Sequence, residues 1–307
     1  MGTATPSAPH SANRHNPLAG IFWMVLASAL LSGMDAIAKW MVAALPVLQI
    51  LSIRSLLVLA LLAPWVHRRG GLAALKTARP GLHLLRAAII VATIICFFES
   101  LRFLPLATVI AIGFAAPLFM TALSVTVLGE RVGLHRWSAV AVGFVGVLLI
   151  VRPGGAAMVS PPALLALAAA LLFAVSLVIL RLLARTESDS TLMIYPNLGI
   201  FLAGTVGLPF VWQPPTAIDL GLNLAMAATL VLGQFAQLRA FRAAPVAVVA
   251  PFQYTELIWA TLLGWAIWAE FPAAHVWAGA AVVIASGLYI LWREVRAKRA
   301  ESSAPPG

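Results

Sequence analysis

Apolar residues in this chain run in stretches of seventeen to twenty-five, broken by short gaps, and ten such stretches fit between residues 18 and 292. They cover 18–42, 46–66, 82–103, 105–128 and 135–151, then 162–183, 191–211, 218–241, 246–269 and 275–292. At a helical rise of about 1.5 Å per residue, each is close to the length that crosses about 30 Å of hydrocarbon. The runs are solid Leu, Ala, Val and Ile, without the alternation a lipid-embedded barrel needs, so only helices satisfy their backbone polar groups in lipid. Hydrophobic residues make up 62% and charged residues 10%, against about 25% charged in ordinary soluble domains. The expected fold class is therefore an all-α polytopic membrane protein with ten transmembrane helices.

The net charge of +10 would suggest nucleic acid in a soluble domain, but 16 of the 20 Lys and Arg residues fall in gaps or tails on one expected side. That bias follows the positive-inside rule, excludes nucleic acid as a partner and places both termini in the cytoplasm of a bacterial inner membrane. The other four basic residues are Lys39, Arg54, Arg102 and Arg152. Residues 1–17 read as a disordered cytoplasmic tail and 293–307 as a second one, with 152–161 linking two five-helix units at 18–151 and 162–292. Cys96 is the sole cysteine and sits in an apolar run, so no intrachain disulfide can form and the residue reads as a small buried hydrophobe.

The two units repeat at an offset of 140 residues. Arg102, Pro105 and Ala107 match Arg242, Pro245 and Ala247; Gly129-Glu130 matches Ala269-Glu270; His135 and Trp137 match His275 and Trp277. Apolar composition aligns Leu with Leu readily, but it does not place Arg, Pro, Glu, His and Trp at one offset. Five helices per unit is an odd number, so the second unit runs opposite to the first: two inverted five-helix repeats, the arrangement in which substrate binds between halves that rock against each other.

Leu128-Gly129-Glu130-Arg131, followed by Trp137 and the Gly143/Gly146 helix, and its second copy Ala269-Glu270 with Trp277 and Gly279, resemble the drug/metabolite transporter superfamily, specifically its EamA-like ten-helix group. Within that group the chain is most similar to bacterial amino-acid and aromatic amino-acid exporters. The resemblance implies a central cavity opened by alternate rearrangement of the halves, no enzyme site and a small zwitterionic or aromatic metabolite as cargo. Importer, lipid flippase and non-transporting membrane protein are the alternatives; the oligomeric state is open and compatible with a monomer. The second copy departs from the first at Ala269, a turn position.

Ionisable residues at membrane depth are expensive unless paired or hydrated, which makes them site candidates by default. Asp35 and Lys39 share a face of the first span, and Arg54 lies at comparable depth in the second; a structural Asp35–Arg54 pair and a substrate site fit equally well. Glu256 lies mid-span in Pro251-Phe252-Gln253-Tyr254-Thr255-Glu256, with Trp259 one turn on. Pro251 frees a backbone carbonyl and kinks the helix there, while Gln253, Tyr254 and Trp259 offer polar and aromatic groups to a cavity. Phe114 and Pro117 occupy the related fourth span, although Pro117 maps onto Leu257, so the two halves are expected to place their bends differently. Tyr195, Pro196, Asn197, Gln234 and Gln237 either line the cavity or bond between helices. Glu256 and Glu99 are the proton-linked candidates, Glu99 equally readable as a local ion pair with Arg102. Glu130 and Glu270 are expected to organise loops. The histidines have no metal-ligand spacing and there is no nucleotide loop, so neither metal nor cofactor is expected.

Overall fold

A computed structural model describes residues 16–128, 133–151 and 160–302. The helices, with bounds that depart little from the apolar runs except at the C-terminus, are α1 (Pro17–Val42), α2 (Val47–Arg68), α3 (Pro80–Leu101), α4 (Leu106–Gly113), α5 (Ala116–Leu128), α6 (Leu134–Val151), α7 (Pro161–Leu183), α8 (Asp189–Val211), α9 (Ala217–Ala243), α10 (Val246–Val249), α11 (Glu256–Trp268) and α12 (Ala274–Ser302). Eight continuous segments are long and apolar enough to cross a membrane, α4 and α5 counting as one; α6, and α10 with α11, make ten spans. Leu84, Val142, Leu148, Leu202 and Phe210 are exposed on the outside, which is the surface lipid would cover. The tail expected from residue 293 instead continues α12 to Ser302, because its Arg, Glu, Ala and Lys residues are strong helix formers. Residues 1–15, the linker at 152–159, and Gly129, Glu130 and Arg131 lie outside the described residues.

Prolines and polar caps set the helix starts. Pro17, Pro80 and Pro161 occupy first-turn positions, where the missing N–H is no loss. Asn16 Oδ1 accepts from Ala19 N at 3.1 Å, Ser188 Oγ from Thr191 N at 3.2 Å, and Thr216 with Asp219 forms a reciprocal capping box on α9. At the end of α11, Ala269 takes φ 54°, the left-handed conformation glycine adopts freely, and Glu270 N donates to Gly264 O at 3.1 Å to close the cap.

Helix packing obeys the repeat. The most extensive contacts join α1 to α9, α3 to α7, α2 to α8, and α6 to α12. Under the offset of 140, α1 with α9 becomes α7 with α3, while the other two pairs map onto themselves. Each unit's first helix therefore packs against the other's third, and the units interlock. α6 meets α12 at Gly146 and Gly279: a Cβ on Gly146 would lie 2.8 Å from Gly279 O, and one on Gly279 2.5 Å from Gly146 O. Only glycine permits this approach.

Spans four and nine are interrupted near their middles. α4 ends at Gly113 and α5 begins at Ala116, because Pro117 cannot supply the N–H that the Gly113 carbonyl would take four residues back. In span nine, Ala250–Thr255 tightens into a 3₁₀ segment with Pro251 in its first turn. The prolines are not equivalent, as the sequence indicated, yet the interruptions overlap in the repeat. Phe114 and Tyr254, 140 residues apart, meet edge to face with ring centroids 4.9 Å apart.

Candidate substrate site

The interruption of span nine presents its backbone to α1. Ser32 Oγ donates to Glu256 O at 3.1 Å and Ser28 Oγ to Gln253 O at 3.4 Å, both serines being buried. One turn beyond Ser32, Asp35 lies within electrostatic reach of both Glu256 and Arg54. Asp35 is 5% exposed and Arg54 3%, and the Arg54 guanidinium lies 5.7 Å from the Phe98 ring centroid. Acidic side chains from α1 and α11 and a guanidinium from α2 thus gather around Asp35 at membrane depth, drawn from both halves. Among the described residues, none of the three has a side-chain hydrogen-bond or ion-pair partner, and Arg54 Nε is fully buried without one. Trp259 Nε1, one turn along α11 from Glu256, is likewise buried and unpartnered. Each charge at this depth costs roughly 3 kcal/mol even on lenient insertion scales.

Lys39 does not join them. Its ammonium sits 2.5 Å from Glu270 Oε2, donates to Leu104 O at 2.9 Å and lies 5.2 Å from the Trp268 ring centroid. Glu270, expected to order a loop, therefore also ties the α11–α12 turn of one half to α1 of the other. At the same end Glu99 pairs with Arg102 at 3.3 Å, Arg102 donates to Leu45 O, and the Gln49 side chain bonds both N and O of Gln213. A cavity of about 460 Å³ opens beside these groups, lined by the α1–α2 turn, Ile95, Glu99, Arg102, Val211 and Gln213. An apolar groove of about 430 Å³ runs between α11 and α12 past Tyr254 and Trp277. Neither reaches Asp35, Arg54 or Glu256.

The opposite end is held by a different set. Glu187, between α7 and α8, accepts from Thr77 Oγ1 at 2.9 Å and Ala78 N at 3.1 Å, with the His83 ring 3.6 Å away. Desolvation alone would raise the Glu187 pKa, but these hydrogen bonds and the adjacent imidazole outweigh it and hold the carboxyl below its ordinary range. Tyr195 stacks on His83 at 4.4 Å between centroids and donates to Leu75 O at 3.0 Å, which places it in this closure and away from the central charges. Arg69 pairs with Asp189 at 3.3 Å across the same two loops.

Of the remaining candidates, Asn197 bonds its own helix at Met193 O, Pro117 and Gln253 are exposed, and Tyr254 and Phe114 pack on each other. Gln234 and Gln237 are half-buried on α9, the helix packed along α1, with Gly233 against Leu30 and Leu31. Sequence reasoning missed Ser28, Ser32, Phe98 and the Glu187 cluster. The signal for the first two was present, because Ser28, Ser32, Asp35 and Lys39 form an i, i+4, i+7, i+11 stripe down α1.

An all-helical membrane protein of two interlocked inverted units, with acidic and basic side chains of both halves between them and separate polar clusters at its two ends, has the form of a small-molecule carrier. The profile of the EamA-like transporter family matches residues 18–152, which is the first repeat unit. A riboflavin transporter from Rhizobium johnstonii is 30% identical over 91% of this chain and 93% of its own length. An S-adenosylmethionine uptake transporter from Rickettsia felis is 28% identical over 91% and 95%, and a pseudopaline exporter from Pseudomonas aeruginosa 29% identical over 86% and 93%. A solved crystal structure, 17% identical, superposes with a TM-score of 0.62 over 90% of this chain and 98% of its own, a likeness of fold. The chain belongs to the EamA-like family of the drug/metabolite transporter superfamily, a family of small-molecule membrane transporters, and is a multi-pass protein of the bacterial inner membrane.

Proposed function

We propose that this protein is an alternating-access carrier for a small organic metabolite bearing both positive and negative charge, and that uptake is its physiological direction. One observation carries the reading: Asp35 lies within electrostatic reach of Arg54 from its own half and of Glu256 from the other, at membrane depth, and among the described residues none of the three side chains makes a hydrogen bond or ion pair. A buried structural pair would lie in contact, because separated charges in a poorly polarisable interior forfeit the attraction that offsets their desolvation. A ligand with complementary charges supplies that attraction and draws the halves together. The closures at Lys39–Glu270 and at Glu187–Thr77 then open in turn. With the basic end in the cytoplasm, Lys39 and Glu270 close the periplasmic side.

Export of amino acids remains the second reading, its direction favoured by the pseudopaline exporter among the relatives; uptake is favoured by the S-adenosylmethionine uptake transporter, and the names of that protein and of the riboflavin transporter widen the cargo beyond amino acids. The test is counterflow in proteoliposomes with a panel of zwitterionic, cationic and neutral metabolites. Wild-type protein is expected to show saturable exchange of a charged member. Asp35→Asn, Arg54→Gln and Glu256→Gln should each lower it at least about tenfold, with folded yield retained. Equal flux in all three variants sinks the assignment of the site, and unsaturable conductance sinks the carrier.

A further inference from the structure

The cavity of about 460 Å³ at the Lys39 end lies apart from the central charges and has the size of a small-molecule site, for which volumes run from roughly 300 to 1,000 Å³. Val42, Leu45, Ile95 and Val211 give it apolar walls, and its charged groups are Glu99 and Arg102 at the end of α3. Gln49, 0% exposed, bonds the Gln213 backbone through both ends of its amide, at 2.6 and 2.9 Å, which anchors that peptide to α2 and leaves the Gln213 side chain exposed in the cavity wall. Glu99 and Arg102 hold one another loosely. Their side chains are 33% and 32% exposed, and the closest approach, Nε to Oε2, is 3.3 Å, longer than the about 2.7–2.9 Å of a charge-assisted hydrogen bond. Arg102 Nη2 donates to Leu45 O at 3.2 Å, which holds the guanidinium at the wall. Among the described residues, Arg102 Nη1 and the second carboxylate oxygen of Glu99 have no hydrogen bond. Extending the carrier reading above, we propose that this cavity is a second ligand site, where a net-neutral zwitterion with an apolar body binds on its way to the centre, its carboxylate on Arg102 and its ammonium on Glu99.

A ligand bearing a carboxylate alone takes Arg102 and leaves Glu99 beside a like charge; one bearing an ammonium alone takes Glu99 and does the same to Arg102. A zwitterion replaces one long contact by two charge-assisted ones and leaves neither group unmatched. An exposed ion pair contributes little by itself, so a ligand that inserts between its members meets little resistance. The repeat shows that the pair is not part of the duplicated scaffold. At the offset of 140, Arg102 becomes Arg242 but Glu99 becomes Arg239, so the end of α9 carries two exposed cations where α3 carries an acid and a base. Arg239 lies instead 5.3 Å from the Trp23 ring centroid. The α1–α2 turn that walls the cavity becomes the α7–α8 turn, which Glu187 closes onto Thr77 and Ala78. The acid and base thus face one mouth only, which an ion pair needed to end the same helix in both halves does not explain. Lys39 donates to Leu104 O, two residues past Arg102, so a ligand in this cavity sits beside the contact that opens to admit it.

The test is protection of a single cysteine from an impermeant maleimide, on full-length protein in lipid nanodiscs. Ala43→Cys in a Cys96→Ala background reports from the cavity wall, and Ala217→Cys, exposed at the same end but outside the cavity, reports general reactivity. The probes are leucine, methionine and phenylalanine, each with its amide, which keeps only the ammonium, and its N-acetyl derivative, which keeps only the carboxylate. At least one of the three amino acids is expected to slow labelling of Ala43→Cys several-fold, at concentrations about tenfold or more below those its two derivatives require. Labelling of Ala217→Cys should not change. Glu99→Gln and Arg102→Gln, introduced separately, should each remove the protection, whereas Arg54→Gln or Asp35→Asn, which alter the central group, should retain it. No protection by any of the three amino acids, equal protection by the singly charged derivatives, protection that survives both Glu99→Gln and Arg102→Gln, or protection lost in both central variants would each overturn the proposal. Saturable counterflow accompanying such a result would leave the carrier standing without this site; selective protection that depends on Glu99 and Arg102, without saturable exchange of any metabolite, would leave the site standing and remove the carrier.

Discussion

Asp35, Arg54 and Glu256 are legible in the sequence because an ionisable residue inside an apolar run has few physical excuses. Their convergence was only half legible. Asp35 and Lys39 lie four residues apart on one helix face and were both cavity candidates, but Lys39 turns to Glu270, 231 residues away, and to the Leu104 carbonyl. Local spacing shows which side chains can meet along one helix; it carries no information about an acid on a turn of the other half. Ser28 and Ser32 escaped notice for a related reason. Hydroxyls in apolar helices commonly bond their own preceding turn, as Thr93, Thr121 and Thr261 do here, and nothing in the sequence marks the two that cross to another helix. The departure from the repeat at Ala269 was visible, and the structure explains its consequence. Ala269 holds φ 54°, where a Cβ is unfavourable by roughly 1 kcal/mol. Ala269→Gly should therefore match or exceed the parent in thermal stability, by up to about 1 kcal/mol after the added freedom of the unfolded glycine is subtracted. A clear fall in the unfolding midpoint would show that the turn is relaxed some other way.

Helix existence followed from run length, and eight of ten spans needed nothing more, but the interruptions of spans four and nine needed proline chemistry. Pro117 and Pro251 marked the right spans, yet they lie at non-equivalent positions, so their sequence placement suggested bends at different depths. The structure brings the interruptions into register, with Phe114 against Tyr254, because a missing N–H disturbs the turn before it while a first-turn proline sits inside the disturbed segment. The α6–α12 contact makes a second claim at this scale. Gly146→Leu has no room opposite Gly279 and Val283, so it should lower folded yield and thermal stability by several kcal/mol, whereas Gly221→Leu, where nothing lies within 4 Å, should be tolerated. The loop closure at Glu187 adds a pH dependence. Its carboxyl is held below the ordinary glutamate range, so the stabilisation from its ionised form is complete above that range and is lost as pH falls through the lowered folded value. Glu187→Gln should accordingly show a smaller drop in thermal midpoint than wild type between about pH 6 and about pH 3; an equal drop would assign the acid sensitivity to other groups.

At the scale of the whole molecule, the inverted repeat was the most informative feature of the sequence, since an odd number of spans per unit fixes the relative orientation of the halves before any contact is known. What it could not supply is how the halves interlock, α1 with α9 and α3 with α7, because apolar helix faces carry little information about which neighbour they meet. That interlocking sets Ser32 on α1 against the interrupted backbone of span nine, and it makes the central charges a property of both halves at once. The account requires this centre to be reached from each side of the membrane in turn and never from both together. The most direct measurement is modification of Ser32→Cys in a Cys96→Ala background, by impermeant thiol reagents applied separately to each face of sealed vesicles, with and without the metabolite the protein exchanges. The account predicts labelling from either face, slowed several-fold from both by substrate, and slowed from the Lys39 side alone when Lys39 and Glu270, replaced by a cysteine pair, are joined by a bifunctional thiol cross-linker long enough to span the side chains it replaces. Labelling from one face only and unaffected by substrate, or undiminished labelling from the joined face, would contradict it.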